Sequence, residues 1–451
     1  MANAERRGMT KFTAVIAALV PLGPLAVSAL VLDPGPDAVD AIRSAPVPAT
    51  EVIDATPPVV EPSIPATIPT SIDVASPVSV PVVVGPEGDE SPTTAQDRQG
   101  DPLSSTIVDP FAPISSPDVG DHCASSLDAA DISEFFSQPI GAFQGADYQR
   151  AFRLADDRVL WTFQDAFVSG TLVHNVGMVQ SGRCFTLLND GPRSWLLGDV
   201  TSHMHQWQWI LGGGTSTDGN RFHLFVVQMN ETGSSYLSRT RPTALRRVVL
   251  DAVTLAVLDV IEEPTTGDDL YGWGVTSDAD HTYLYSHCYQ QFGYDTTFGF
   301  GDCVADVKLA RVPLGEFDGE REYWDGTGWT TDGAVAAPVV SASFVGSGNN
   351  PAQVSFDGAR FVLVQKRDDW WGTAVDFGVA DDPQGPFVHV GSVDEPLTCD
   401  RSECNTYFAS WIPWNDSDGD HIWSIGHNRW DGAETQSHLA DYRPTFLTIS
   451  I

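Results

Sequence analysis

Five times along the C-terminal three quarters of the chain, a turn rich in Asp and Gly is followed by a basic residue or histidine and then an apolar run. The runs are ADDRVLWTF at Arg158, TDGNRFHLFVV at Arg221, DADHTYLYSH at His281, FDGARFVLVQK at Arg360 and DGDHIWSIGH at His421. These anchors lie 63, 60, 79 and 61 residues apart. Asp and Gly tolerate positive φ, so such turns between strand-like runs read as β-hairpins. A repeating unit of about 40–60 residues made of short antiparallel strands has the size of one propeller blade. The spacing therefore predicts an all-β fold, a five-bladed β-propeller, with an extra loop between the third and fourth blades. The alternative is a β-sandwich whose hairpins are alike by accident. The final run PTFLTISI, Pro444–Ile451, is expected to close the ring beside a segment near residues 131–143.

The propeller is expected to occupy residues 118–451, because what precedes it is of a different composition. Residues 33–117 hold 17 prolines and a single aromatic, Phe111. Such a segment buries too little apolar surface to offset its chain entropy, and reads as a Pro-rich disordered spacer. Residues 1–32 read as a signal peptide or a membrane anchor: Arg6, Arg7 and Lys11 precede an uncharged apolar run, Phe12–Leu32. That run fits a cleavable signal ending at Val27–Ala29 and is also long enough to span a bilayer. Either way the remainder is placed outside the cell, secreted or held at the outer face of the cytoplasmic membrane.

Six cysteines, at 123, 184, 288, 303, 399 and 404, all follow the spacer. An even count behind an export signal favours disulfides. The short-range pairs Cys288–Cys303 and Cys399–Cys404 are natural ones, leaving Cys123–Cys184. A net charge of −36 excludes nucleic acid as a partner. Zinc spacing, P-loop, dinucleotide fingerprint, GxSxG and HExxH motifs are absent from the sequence, so neither metal nor cofactor is expected. The run NDSDGD, Asn415–Asp420, lacks the downstream Glu of a calcium loop and reads as a hairpin turn.

In a propeller the first strand of each blade lines the central channel. The candidate inner strands are GADYQRAF, HQWQWILG, YGWGVTSD, GNNPAQVSF and CNTYFASWI. They bring Trp207, Trp209, Trp273, Asn350 and Tyr407 towards the channel, a set suited to a polyhydroxylated ligand, since aromatics stack on sugar faces and amides bond hydroxyls. Packing between blades is the competing role for each aromatic. The first inner strand brings Asp147 instead. If its turn is Ala155–Asp157, the register sets Asp147 opposite Asp165, with Cβ atoms about 4.5–5.5 Å apart on one face. Two carboxylates at that range resist joint ionisation, which is the arrangement general acid–base chemistry uses.

The run GADYQ…DDRVLWTFQDAFV followed by LVHNVGMVQ resembles the pattern of five-bladed propellers among the endo-D-arabinanases of glycoside hydrolase family 183, and is similar in architecture to family 43. The resemblance spans roughly residues 140–451 and includes the closing IWSIGHNRW. It implies that Asp147 and Asp165 are the catalytic carboxylates, with His174 and Asn175 beside them in the substrate cleft. It differs in FQD for the usual FGD and HNV for RNS, and no Glu stands on YGWGVTSD to serve as a family 43 acid. The function implied is extracellular hydrolysis of a furanosidic polysaccharide, an arabinan or related wall glycan, by a monomer. The alternative is a propeller that binds glycan or cell wall without turnover.

Overall fold

Each of the five anchor residues stands at or immediately before the start of the second strand of a blade, and the turn before it is held by an aspartate. Asp278 Oδ1 accepts from the backbone N–H of Asp280 and of His281, each at 2.8 Å. Asp357 and Asp416 do the same for Ala359 and Arg360, and for Asp418 and Asp420. The side chain thus satisfies N–H groups that the turn would leave open. In NDSDGD, Asp416 is occupied in this way.

The computed structural model describes residues 109–197, 206–231, 240–264, 269–288, 307–340, 353–367, 374–394, 397, 399–400, 402–429 and 432–451. The leader and most of the spacer lie outside them. The fold is an all-β, five-bladed β-propeller. Blade 1 contains β1 (His122–Cys123), β2 (Phe143–Ala146), β3 (Arg150–Arg153), β4 (Val159–Val168), β5 (Thr171–Ser181) and β6 (Cys184–Leu187). Both β2 and β3 pair with β4, so together they form one interrupted inner strand. Blade 2 contains β7 (Gln206–Thr215), β8 (Arg221–Glu231), β9 (Thr240–Asp251) and β10 (Val257–Glu262). Blade 3 contains β11 (Asp269–Ser277), β12 (His281–Cys288), β13 (Val307–Pro313), β14 (Glu322–Trp324), β15 (Trp329–Thr330) and β16 (Pro338–Val340). Blade 4 contains β17 (Gln353–Phe356), β18 (Phe361–Lys366), β19 (Ala374–Ala380) and β20 (Val388–Asp394). Blade 5 contains β21 (Cys404–Asn415), β22 (His421–Arg429) and β23 (Thr445–Ile449). The hairpin β14–β15 and the strand β16, which pairs with β13, supply added length in the 79-residue interval.

The ring closes differently from a strand ladder. Residues Ala129–Phe136 form a helix that buries Ala129, Ile132 and Phe136 on one face. That face packs against β23: the Phe136 and Phe446 rings are 5.1 Å apart, and Ser133 Oγ both donates to Phe446 O and accepts from Phe446 N–H, each at 2.9 Å. The period of apolar residues in AADISEFF is helical, which explains why this segment does not extend β23 as a strand.

The folded unit begins earlier than composition suggests. Phe111 is 2% exposed, with its ring 4.7 Å from His421 and 6.3 Å from Trp411. Its carbonyl accepts from Asn415 N–H at 2.9 Å, and Arg153 donates to Ala112 O and Pro113 O. The one aromatic of the Pro-rich segment is therefore part of the propeller's core. Disulfides join Cys123 to Cys184 and Cys399 to Cys404. The expected Cys288–Cys303 pair lies outside the described residues.

Replacing Phe111 by Ala is expected to lower unfolding free energy by about 3–5 kcal/mol, the usual range for a buried aromatic. A chain begun at residue 118 should lose a similar amount. Urea unfolding that finds the 118–451 chain as stable as the parent would show that residues 109–117 add nothing.

Candidate functional site

The site is built on the first hairpin. Leu154 N–H donates to Arg158 O at 2.8 Å and Asp157 N–H to Leu154 O at 3.1 Å, closing a loop of Ala155, Asp156 and Asp157. Asp157 has φ of 64°, the left-handed third residue of such a loop. The pairs Arg150↔Thr162 and Ala146↔Ala166 share one register, which sets Asp147 opposite Asp165. The next pair outward is Asp165↔His174. Asp147, Asp165 and His174 thus form a row across three neighbouring strands.

The row has an irregular start. Tyr148, at φ of 49°, turns the inner strand aside and stacks its ring on Phe408 at 4.4 Å. Asp147 N–H still donates to Asp165 O at 2.9 Å, but the return bond from Asp165 N–H goes to the side chain, Asp147 Oδ1, at 3.1 Å. The other oxygen, Asp147 Oδ2, accepts from the Tyr442 hydroxyl at 2.6 Å. Tyr442 is brought there by the chain end: its carbonyl accepts from Ala146 N–H at 2.7 Å. A Cβ on Gly145 would lie 2.6 Å from that same carbonyl, so glycine is required for the approach.

Asp165 is the one residue of β4 that is not buried; its side chain is 17% exposed, against 7% for Asp147. Its Oδ1 lies 2.5 Å from His174 Nδ1 and accepts from Trp209 Nε1 at 2.9 Å. Its Oδ2 has no partner among the described residues. Two donors fix the carboxylate and leave one oxygen for a water, a proton or a ligand. His174, 27% exposed, stacks on Trp207 with ring centroids 5.2 Å apart.

The remaining expected site residues divide. Trp207 is 7% exposed and backs His174 rather than facing outward. Asn175 is fully buried: Nδ2 donates to Gln208 O at 3.3 Å and Oδ1 accepts from Leu196 N–H at 2.7 Å. It ties blade 1 to its neighbours at a φ of 53°, with both amide heavy atoms engaged within the fold. Trp273 is 1% exposed and packs on His287, centroids 4.4 Å apart, on the channel side where the sequence places it. Asn350 and the side chain of Tyr407 lie outside the described residues. Gln164, the middle residue of FQD, donates to Ile210 O on blade 2 at 3.1 Å. Sequence reasoning missed Tyr442, which stands 295 positions from its partner. It named Trp209 only as an aromatic, although its indole N–H is what matters here.

Several titratable groups in the channel are held neutral or paired. Burial, reinforced by the nearby Arg150 charge, pushes His287 down to about 3. Burial, reinforced by Lys366, does the same to His427, whose Nε2 lies 2.8 Å from Thr445 Oγ1. Lys366 Nζ donates to the Thr406 carbonyl at 2.5 Å and hydroxyl at 2.6 Å. Among the described residues no group of three or more His, Cys, Asp or Glu side chains is placed to hold a metal ion.

Fold and site together define a five-bladed propeller whose first blade presents a carboxylate held by a histidine and an indole. The chain belongs to the family described as a domain of unknown function, DUF5005, which matches over residues 130–450. No curated protein matches it. Among solved structures it is similar to a "putative hydrolase" of Bacteroides ovatus ATCC 8483, at 14% identity and TM-score 0.52, over 70% of this chain and 89% of that one. An exo-β-1,3-galactanase of Clostridium thermocellum gives 9% identity and TM-score 0.40, over 74% and 62%. A family 43 β-xylosidase/α-arabinofuranosidase from a compost microbial metagenome gives 12% and 0.41, over 74% and 96%. At these identities the likeness is one of fold.

Two measurements check the site's supports. Tyr442→Phe keeps the ring on Phe167 but removes the donor to a buried carboxylate, and is expected to cost about 1.5–3 kcal/mol in chemical denaturation; an unchanged midpoint would refute the bond. The buried histidines make stability depend on pH. Unfolded, they bind protons below about 6.5, whereas folded they stay neutral to about 3, so their contribution is complete above pH 6.5 and is lost as pH falls. The melting temperature should therefore fall from pH 7 to 4, and less steeply in His427→Gln; equal slopes would remove His427 from the account.

Proposed function

We propose that the chain is an extracellular glycoside hydrolase acting on a furanosidic polysaccharide, with arabinan as the substrate class, in keeping with its resemblance to family 183 endo-D-arabinanases. The observation that carries this reading is Asp165: an open Oδ2 on an otherwise buried strand, with a second carboxylate, Asp147, directly across the ladder. Asp165 meets the water or the anomeric carbon, and Asp147 is the second member of the acid–base pair. His174 and Trp209 keep Asp165 in one orientation, which removes reorganisation from the reacting step. Reaction proceeds through an oxocarbenium-like transition state that a carboxylate stabilises. The net charge of −36 would repel a polyanion and suits a neutral glycan. The protein is taken to act as a monomer outside the cell, released or held by residues 12–32 according to whether the leader is retained.

Incubation of the full chain with a panel of arabinans, followed by product chromatography, tests this. Asp165→Asn and Asp147→Asn are each expected to lose about 10²–10⁴ in rate, the worth of one acid–base group. The double variant should lose far less than the product of the two losses, because the residues act as a unit. Hydrolysis by Asp165→Asn at the parent rate would reject the assignment. Tight glycan binding with no product from the parent would favour the second reading, a wall-binding propeller.

A further inference from the structure

At the centre of the propeller sits a cation without a counter-charge among the described residues. Arg150, on β3, is 2% exposed, and its guanidinium carbon lies 4.6 Å from the Phe408 ring centre, 5.4 Å from Trp273 and 5.8 Å from Tyr148. These rings come from the inner strands of blades 5 and 3 and from the turn beside Asp147. One nitrogen, Nη1, donates to Ile210 O at 3.1 Å. Nε and Nη2 are buried with no hydrogen-bond partner among the described residues, and so is the indole Nε1 of Trp273. The guanidinium, pushed down to about 9 by burial, is still charged at neutral pH, and the one neighbour acting to raise it is Tyr148, not a carboxylate. His287, which packs on Trp273, is held neutral by burial.

A buried ion is tolerated when it is paired, and a buried N–H when something accepts from it. Aromatic faces stabilise the cation from above and below their planes but accept nothing from N–H groups in the guanidinium plane. Water in the space would accept from the N–H groups and leave the charge uncompensated. A cation is excluded by charge, and a large anion by the enclosing rings. We propose that the central channel binds a small monovalent anion, chloride in size and charge, on Arg150 Nε and Nη2, at the wall shared with Trp273. The anion pins β3 to the inner strands of blades 3 and 5 and stabilises the ring.

The full chain is melted in sodium chloride or sodium bromide exchanged against sodium gluconate at constant ionic strength. Specific binding should raise the midpoint by about 2–4 °C per tenfold increase in halide above the dissociation constant. Arg150→Gln should abolish this dependence. Crystals of the parent chain soaked in bromide should show anomalous scattering beside Arg150. The proposal is overturned if the parent does not respond to halide, if Arg150→Gln responds as the parent does, or if crystals show only water there. Should Arg150→Gln fail to fold, the bromide data on the parent decide alone.

Discussion

One exchange in a β-ladder organises the first blade: the carboxylate of Asp147 stands where a backbone carbonyl would ordinarily accept from Asp165 N–H. That exchange accompanies the departure of Tyr148 from the extended conformation, with the Asp147 carbonyl accepting from Gln164 N–H instead. The displaced backbone then places Arg150 in the channel, and the anchored carboxylate meets Tyr442 from the far end of the chain. One local departure from regular pairing thus connects the ring's closure, the content of its centre and the position of Asp165. A regular strand at 147–149 would provide none of the three.

The fold was largely legible because propeller blades repeat, and a repeat multiplies a weak turn signal by five. The inner strands and the Asp147–Asp165 register followed from counting outward from the Ala155–Asp157 turn. Contacts that depend on closure left no such trace. Tyr442 sits in ADYRPTF, a run with no periodicity, and reaches Asp147 only once all five blades are in place. The seating of Phe111 was hidden by its Pro-rich surroundings, whose composition outweighs a single aromatic. Asn175 illustrates a different limit: an amide beside a catalytic candidate is as useful for joining strands as for holding sugar, and sequence alone does not separate the two.

Charge is distributed unevenly through the molecule. The chain carries a large negative excess, yet Arg150 and Lys366 are buried. Lys366 is compensated by oxygens of Thr406, and the Arg247 and Arg321 guanidiniums are shared on Glu263. The channel histidines remain neutral beside these cations because a second positive charge in a low-dielectric interior is costly. An acidic exterior thus encloses a basic axis.

The seat of Phe111 also marks one rim of the propeller. Phe111 lies against His421 and Trp411 near the turn between β21 and β22, and Ser115 and Ser116 bond Asp157 in the turn between β3 and β4. These turns lie at the ends of the inner strands, whereas Asp147 lies near the start of one. Residues 109–117 therefore lie at the rim opposite the carboxylates.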